Sequence, residues 1–134
     1  MTSRALLVAA LAAAVSSACE DGSERPAEWR YIHAAILRPE CATAGCHSRL
    51  TALAGLDLST QESAYTFLVG RVCGAPAHPN DPPGNYVFPG EPERSELLAR
   101  LRGEHVDVMP PDGPLPAVEI DLIERWILEG ASCD

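Results

Sequence analysis

Two thiols and an imidazole stand close together in the segment Cys41-Ala-Thr-Ala-Gly-Cys46-His47. Three chemistries suit such a trio. Paired thiols followed at once by a histidine form the attachment signature of c-type haem, most often as C-x-x-C-H. There the thiols add to the porphyrin vinyl groups, and the histidine beside the second thioether reaches the iron. Here four residues intervene between the thiols rather than two. Ala42, Ala44 and Gly45 are small enough to bulge outward while the sulfurs keep their separation, and Gly45 tolerates an unusual backbone conformation. The same trio could enter a zinc site if a fourth ligand such as Cys73 joined it. A disulfide between Cys41 and Cys46 would instead leave a protein with no cofactor.

The cysteine count constrains the choice. The chain has 134 residues and five Cys. Arg4 precedes an unbroken apolar run over 5–15, and small residues Ser16, Ser17 and Ala18 lead to Cys19. That is the layout of an export signal, and the run falls short of the ~20 residues that span a bilayer. The segment resembles the lipobox of bacterial lipoproteins, with Ser16 where the pattern prefers Leu, and this implies cleavage after residue 18 and acylation of Cys19. Residues 1–18 are therefore expected to be a signal peptide, 19–25 a lipidated tether and 26–134 the folded domain. Exported, lipid-anchored and facing an oxidising periplasm or cell envelope, the protein could hold a disulfide. With lipid on Cys19 and haem on Cys41 and Cys46, the remaining pair is Cys73 and Cys133. Without haem, the pairs would be Cys41–Cys46 and Cys73–Cys133.

Composition excludes some functions. The formal net charge is −9, and all ten basic residues are Arg. Nucleic-acid binding needs a basic face, and an acidic chain does not supply one. Two Trp, three Tyr and two Phe make a thin aromatic core for this length, so a large apolar cofactor would help to fill it. No Ser/His/Asp set, paired acids or phosphate-binding loop suggests an enzyme.

The elements that must position the trio are helical. Trp29, Ile32, Ile36 and Leu37 recur at helical spacing, predicting a first helix over 26–37 that Pro39 terminates. Residues 49–58 read as a loop carrying Leu56 and Leu58. Ser59 reads as an N-cap, with Glu62 completing a capping box for a helix over 60–69 that buries Ala64, Tyr65, Leu68 and Val69 and stops at Gly70. Residues 71–90 are a Pro- and Gly-rich loop. A third helix is expected over 92–102, with Leu97, Leu98 and Leu101 inward and Gly103 as its stop. After the Pro-rich segment 105–116, a last helix over 117–129 buries Ile120, Ile123, Trp126 and Ile127. The fold class is mainly α, with about four short helices joined by long Pro/Gly-rich loops.

Taken together, these parts resemble a class I cytochrome c domain, in particular the planctomycete-type cytochrome c domains of bacterial surface proteins. The resemblance covers about residues 28–131. It rests on the C…CH segment, on Gly55-Leu56-Asp57-Leu58, and on Val87, Pro89, Gly90, Pro92, Ser95 and Leu97 in V-x-P-G-x-P-x-x-S-x-L. It continues through Met109-Pro110-Pro111 and a terminal helix with Trp126-Ile127 and Gly130-Ala131. The resemblance implies a cytochrome c-like fold with haem c held by Cys41 and Cys46, His47 as proximal iron ligand and Met109 as distal ligand. Both axial positions would then be filled, making the protein an electron carrier rather than a catalyst. Its expected partners are redox proteins with an electropositive docking face, and its only membrane contact the lipid at Cys19. His33, His78 and His105 read as surface or capping residues, with His105 the rival to Met109. Trp29 and Trp126 read as core residues where the first and last helices cross.

Overall fold

The structure, a computed structural model, describes residues 25–76 and 86–133. Cys19 and His78, the signal and most of the tether lie outside the described residues. Among the described residues the chain is mainly helical and contains no strand, and no helix is long and apolar enough to cross a membrane.

The first helix, α1, runs from Trp29 to Glu40 in three joined stretches. Trp29–Ile32 is α-helical, His33–Leu37 is π-helical and Arg38–Glu40 is α-helical again. The expected stop at Pro39 is therefore corrected: the helix passes through the proline. A proline in a regular α-helix lacks one hydrogen bond and presses its ring on the carbonyl four residues back. The widened turn, in which the Arg38 N–H donates to the His33 carbonyl, relieves that conflict just upstream of Pro39. The helix also starts at Trp29 rather than Pro26.

Helix α2 spans Gln61–Val69. Its N-cap is Thr60, not Ser59, and the reciprocal partner in the capping box is Ser63, not Glu62. Ser59 is already committed, because its hydroxyl and N–H both donate to Asp57 Oδ1, at 2.6 and 2.9 Å. Gly70 ends α2 in the left-handed conformation, φ 76°.

The expected single helix over 92–102 is two pieces, a 3₁₀ turn Pro92–Arg94 and helix α3, Glu96–Arg102. Ser95 separates them with extended dihedrals. Its buried hydroxyl accepts from the Phe88 N–H and donates to the Glu91 carbonyl, each at 3.0 Å. Leu98 and Leu101 are buried, while Leu97 is half-buried. Helix α4, Ala117–Leu128, buries Ile120, Ile123, Trp126 and Ile127 as expected, and Leu122 as well.

The inner faces of α1, α2, α3 and α4 form one core. At its centre Trp29 stacks on Trp126, ring centroids 5.1 Å apart, and meets Tyr65 edge-on at 5.5 Å. Each indole N–H is satisfied by main chain: Trp29 donates to Gln61 and Trp126 to Ser132. The Tyr65 hydroxyl donates to the Ala131 carbonyl at 2.9 Å, so the residues after α4 fold back against α2. A disulfide between Cys73 and Cys133, Cα atoms 5.6 Å apart, fastens the start of the long loop to the same C-terminal segment.

Candidate functional site

The end of α1 delivers Cys41. The Cys41 and Ala42 N–H groups both donate to the Leu37 carbonyl, at 2.8 and 3.1 Å, so the helix unwinds directly into the cysteine segment. Thr43 to Cys46 form a tight turn, and the His47 N–H returns to the Cys41 carbonyl at 3.1 Å. The four residues between Cys41 and Cys46 thus loop outward, with Thr43, Ala44 and Gly45 exposed.

The loop that follows closes on itself. Leu53 N–H donates to the Cys46 carbonyl at 3.1 Å, and Leu58 N–H to the His47 carbonyl at 2.8 Å. Inside this ring, His47 Nδ1 lies 3.1 Å from the Leu53 carbonyl oxygen. A carbonyl can only accept, so Nδ1 carries a proton, and in the neutral imidazole the lone pair is then on Nε2. Ala52 and Ala54 flank Leu53 with φ of 42° and 56°, a left-handed geometry that is costly for alanine. Such strain is held only where surrounding contacts over-determine the backbone.

The segment that carries Met109 arrives from α3. Gly103 ends α3 with φ 67°, and a Cβ placed there would lie 3.3 Å from Val108 Cβ, so the chain turns back tightly. The Met109 N–H then donates to the Arg100 carbonyl at 2.9 Å.

These three segments enclose one cleft of about 160 Å³. Cys41, Cys46 and His47 line it from the first segment, Leu53 and Ala54 from the loop, and Met109, Pro110 and Pro111 from the segment after α3. Its lining is otherwise apolar apart from Glu40, the one charged side chain. The sequence-predicted set of Cys41, Cys46, His47 and Met109 is therefore brought together on one cleft.

Cys41 and Cys46 are both free thiols. Burial, reinforced by the Glu40 carboxylate and Cys46, pushes the Cys41 thiol up to about 12. Cys73, the expected fourth zinc ligand, is consumed by its disulfide with Cys133. Among the described residues no three His, Cys, Asp or Glu side chains gather as a metal site.

One expectation about the other histidines holds and one changes. His105 is exposed, as read, but lies at a shallow surface depression with Arg100 and Asp107 and does not line the cleft that Met109 reaches. His33 is not a surface or capping residue: it is 3 % exposed, and its Nε2 lies 3.0 Å from the Leu58 carbonyl oxygen. The Leu53 carbonyl was also missed, since a main-chain acceptor carries no signal in residue type.

Comparison of the chain with family models, with curated proteins and with solved structures returned no match.

Proposed function

We propose that this protein is an electron carrier with a cytochrome c-like fold, holding one haem c in the cleft between His47 and Met109. The observation that carries the reading is the convergence of Cys41, Cys46, His47 and Met109, from distant parts of the chain, on a single apolar cleft. The protonated Nδ1 of His47 supports it, because that bond aims a lone pair at Nε2 in the manner of a metal-ligating histidine. The free state of both thiols supports it too, since attachment adds each S–H across a vinyl C=C bond, sulfur to one carbon and hydrogen to the other.

When bound, haem c supplies a reversible one-electron iron couple whose potential is raised by His/Met ligation. The chain's own residues do the rest. Cys41 and Cys46 would hold the group covalently, His47 Nε2 and the Met109 thioether would be its iron ligands, and the apolar lining would limit water at the cleft. With no open ligand position, substrate chemistry at the iron is disfavoured and electron transfer remains. The net charge of −9 favours an electropositive redox partner through salt-sensitive steering. Export, with acylation at Cys19 holding the domain to a membrane of the envelope, belongs to the same proposal and rests on residues 1–19 of the sequence.

The test is the absorption spectrum of protein made in a host with the cytochrome c maturation machinery. A haem spectrum that switches reversibly between oxidised and reduced forms is expected. A colourless protein overturns the reading in favour of a haem-free envelope lipoprotein with a structural or binding role.

A further inference from the structure

His33 and Ser95 are the buried polar side chains among the described residues. Ser95 serves the turn between Phe88 and α3, and its two bonds are local. His33 does something different. It opens the π-helical turn of α1, its ring packs against Trp29 at 5.8 Å, and its Nε2 crosses to a carbonyl 25 residues away. Because a carbonyl only accepts, Nε2 donates.

The acceptor is Leu58, which is itself buried and faces His47 through its other main-chain group. The Leu58 N–H donates to the His47 carbonyl at 2.8 Å. The 47–58 loop is thus anchored on its inner side by His33, at the residue where the loop closes on His47. Within that closed loop sits the Leu53 carbonyl that accepts from His47 Nδ1. A continuous set of hydrogen bonds and loop backbone therefore runs from a rigid core helix to the imidazole of the proposed proximal ligand. The strained dihedrals of Ala52 and Ala54, on either side of Leu53, show that this loop is held in a conformation it would not choose alone.

From this we infer that His33 is a positioning residue: by fixing Leu58 it sets the Leu53 carbonyl against His47 Nδ1 and so tunes the electron donation of the Nε2 ligand. This rests on the electron-carrier reading above and adds a residue that tunes it. A firm Nδ1–H···O=C bond makes an imidazole a stronger donor, which favours the oxidised metal. Loosening the loop weakens that bond and favours the reduced form.

The test uses the full chain, haem-loaded in a maturation-competent host, as wild type and as His33→Gln, His33→Leu and His33→Asn. The Gln amide nitrogen can take the place of Nε2, Leu removes the donor while keeping bulk, and Asn keeps polarity but is too short to reach. The measurement is the reduction potential by spectroelectrochemical titration, alongside the melting temperature. His33→Gln should keep the wild-type potential. His33→Leu and His33→Asn should shift it upward, by about 59 mV for a tenfold gain in the reduced form. If the Leu variant does not fold, the Asn variant decides. Potentials unchanged in Leu or Asn while melting temperatures fall would reduce His33 to a packing residue and overturn the inference, leaving the electron-carrier reading intact. A wild type that carries no haem overturns both, and is told apart by its lack of colour before any variant is made.

Discussion

The indole rings of Trp29 and Trp126 stack at 5.1 Å with 27° between their planes, joining the first helix of the domain to the last. Each ring is essentially excluded from solvent, and each N–H bonds to the main chain of a third segment. The pair therefore ties α1, the start of α2 and the C-terminal turn to one point.

Removing one ring should be severe. Trp126→Ala forfeits the stack, leaves a cavity and removes the bond to the Ser132 carbonyl, for an expected loss of about 3–5 kcal/mol. Trp126→Phe keeps most of the volume and should cost less than half of that. Urea unfolding followed by far-UV circular dichroism gives both values; equal losses would mean that the stack contributes little beyond its polar bond.

The disulfide offers a second test. Cys73 and Cys133 are separated by 60 residues, and in the chain-entropy model closing a loop of that length stabilises by ~4 kcal/mol, less any native strain. The Cys73→Ser/Cys133→Ser variant should melt at a lower temperature and still take up the proposed haem, because neither residue lines the cleft. Mass mapping of non-reduced peptides should recover the Cys73–Cys133 link, with Cys41 and Cys46 outside any disulfide.

The loop below the cleft carries a pH signature. The Ser59 hydroxyl and N–H bonds hold the Asp57 carboxyl below the usual carboxylate range. A depressed carboxylate stabilises the fold fully above its unfolded value of ~3.9 and loses that contribution as pH falls through the lower folded value. Asp57→Asn should therefore be slightly less stable than wild type at pH 7, with the gap closing as both are acidified below about pH 4. Because Asp57 lies at the surface, the gap should be small and should narrow in high salt. Thermal melts from pH 7 to pH 3 would measure it.

Much of this architecture was legible because burial repeats with the helical period. Trp29, Ile32, Ile36 and Leu37 mark the inner face of α1, and Ile120, Ile123, Trp126 and Ile127 that of α4, by spacing alone. The errors fall where tertiary bonding overrides local preference. Pro39 read as a helix stop because a π turn is invisible to residue type. Ser59 read as a cap because its capture by Asp57 depends on the loop's own shape. His33 read as a surface residue because its partner is a main-chain carbonyl 25 residues on. The cleft divides the same way: Cys41, Cys46 and His47 declare themselves by spacing, whereas Met109 was reached only through a family resemblance, and the Leu53 carbonyl not at all.

The proposed role of Met109 has its own prediction. Met109→Ala removes the one thioether that lines the cleft among the described residues. In the haem-loaded protein the thioether-to-iron charge-transfer band should vanish and the potential should fall, since water or a nitrogen ligand replaces a soft neutral sulfur. His105→Ala should leave both unchanged, because His105 lies away from the cleft. The reverse pattern would transfer the distal role to His105.

The central claim is covalent attachment of haem at Cys41 and Cys46, and it is tested most directly on denatured protein. Wild type and Cys41→Ser/Cys46→Ser chains, produced together with the maturation machinery, are unfolded, fully reduced and separated by mass and by visible absorbance. Thioethers survive both treatments, so the wild-type pigment should travel with the polypeptide and the double variant should be bare. A wild-type chain whose denatured mass is that of the polypeptide alone, with no visible absorbance, would contradict the account.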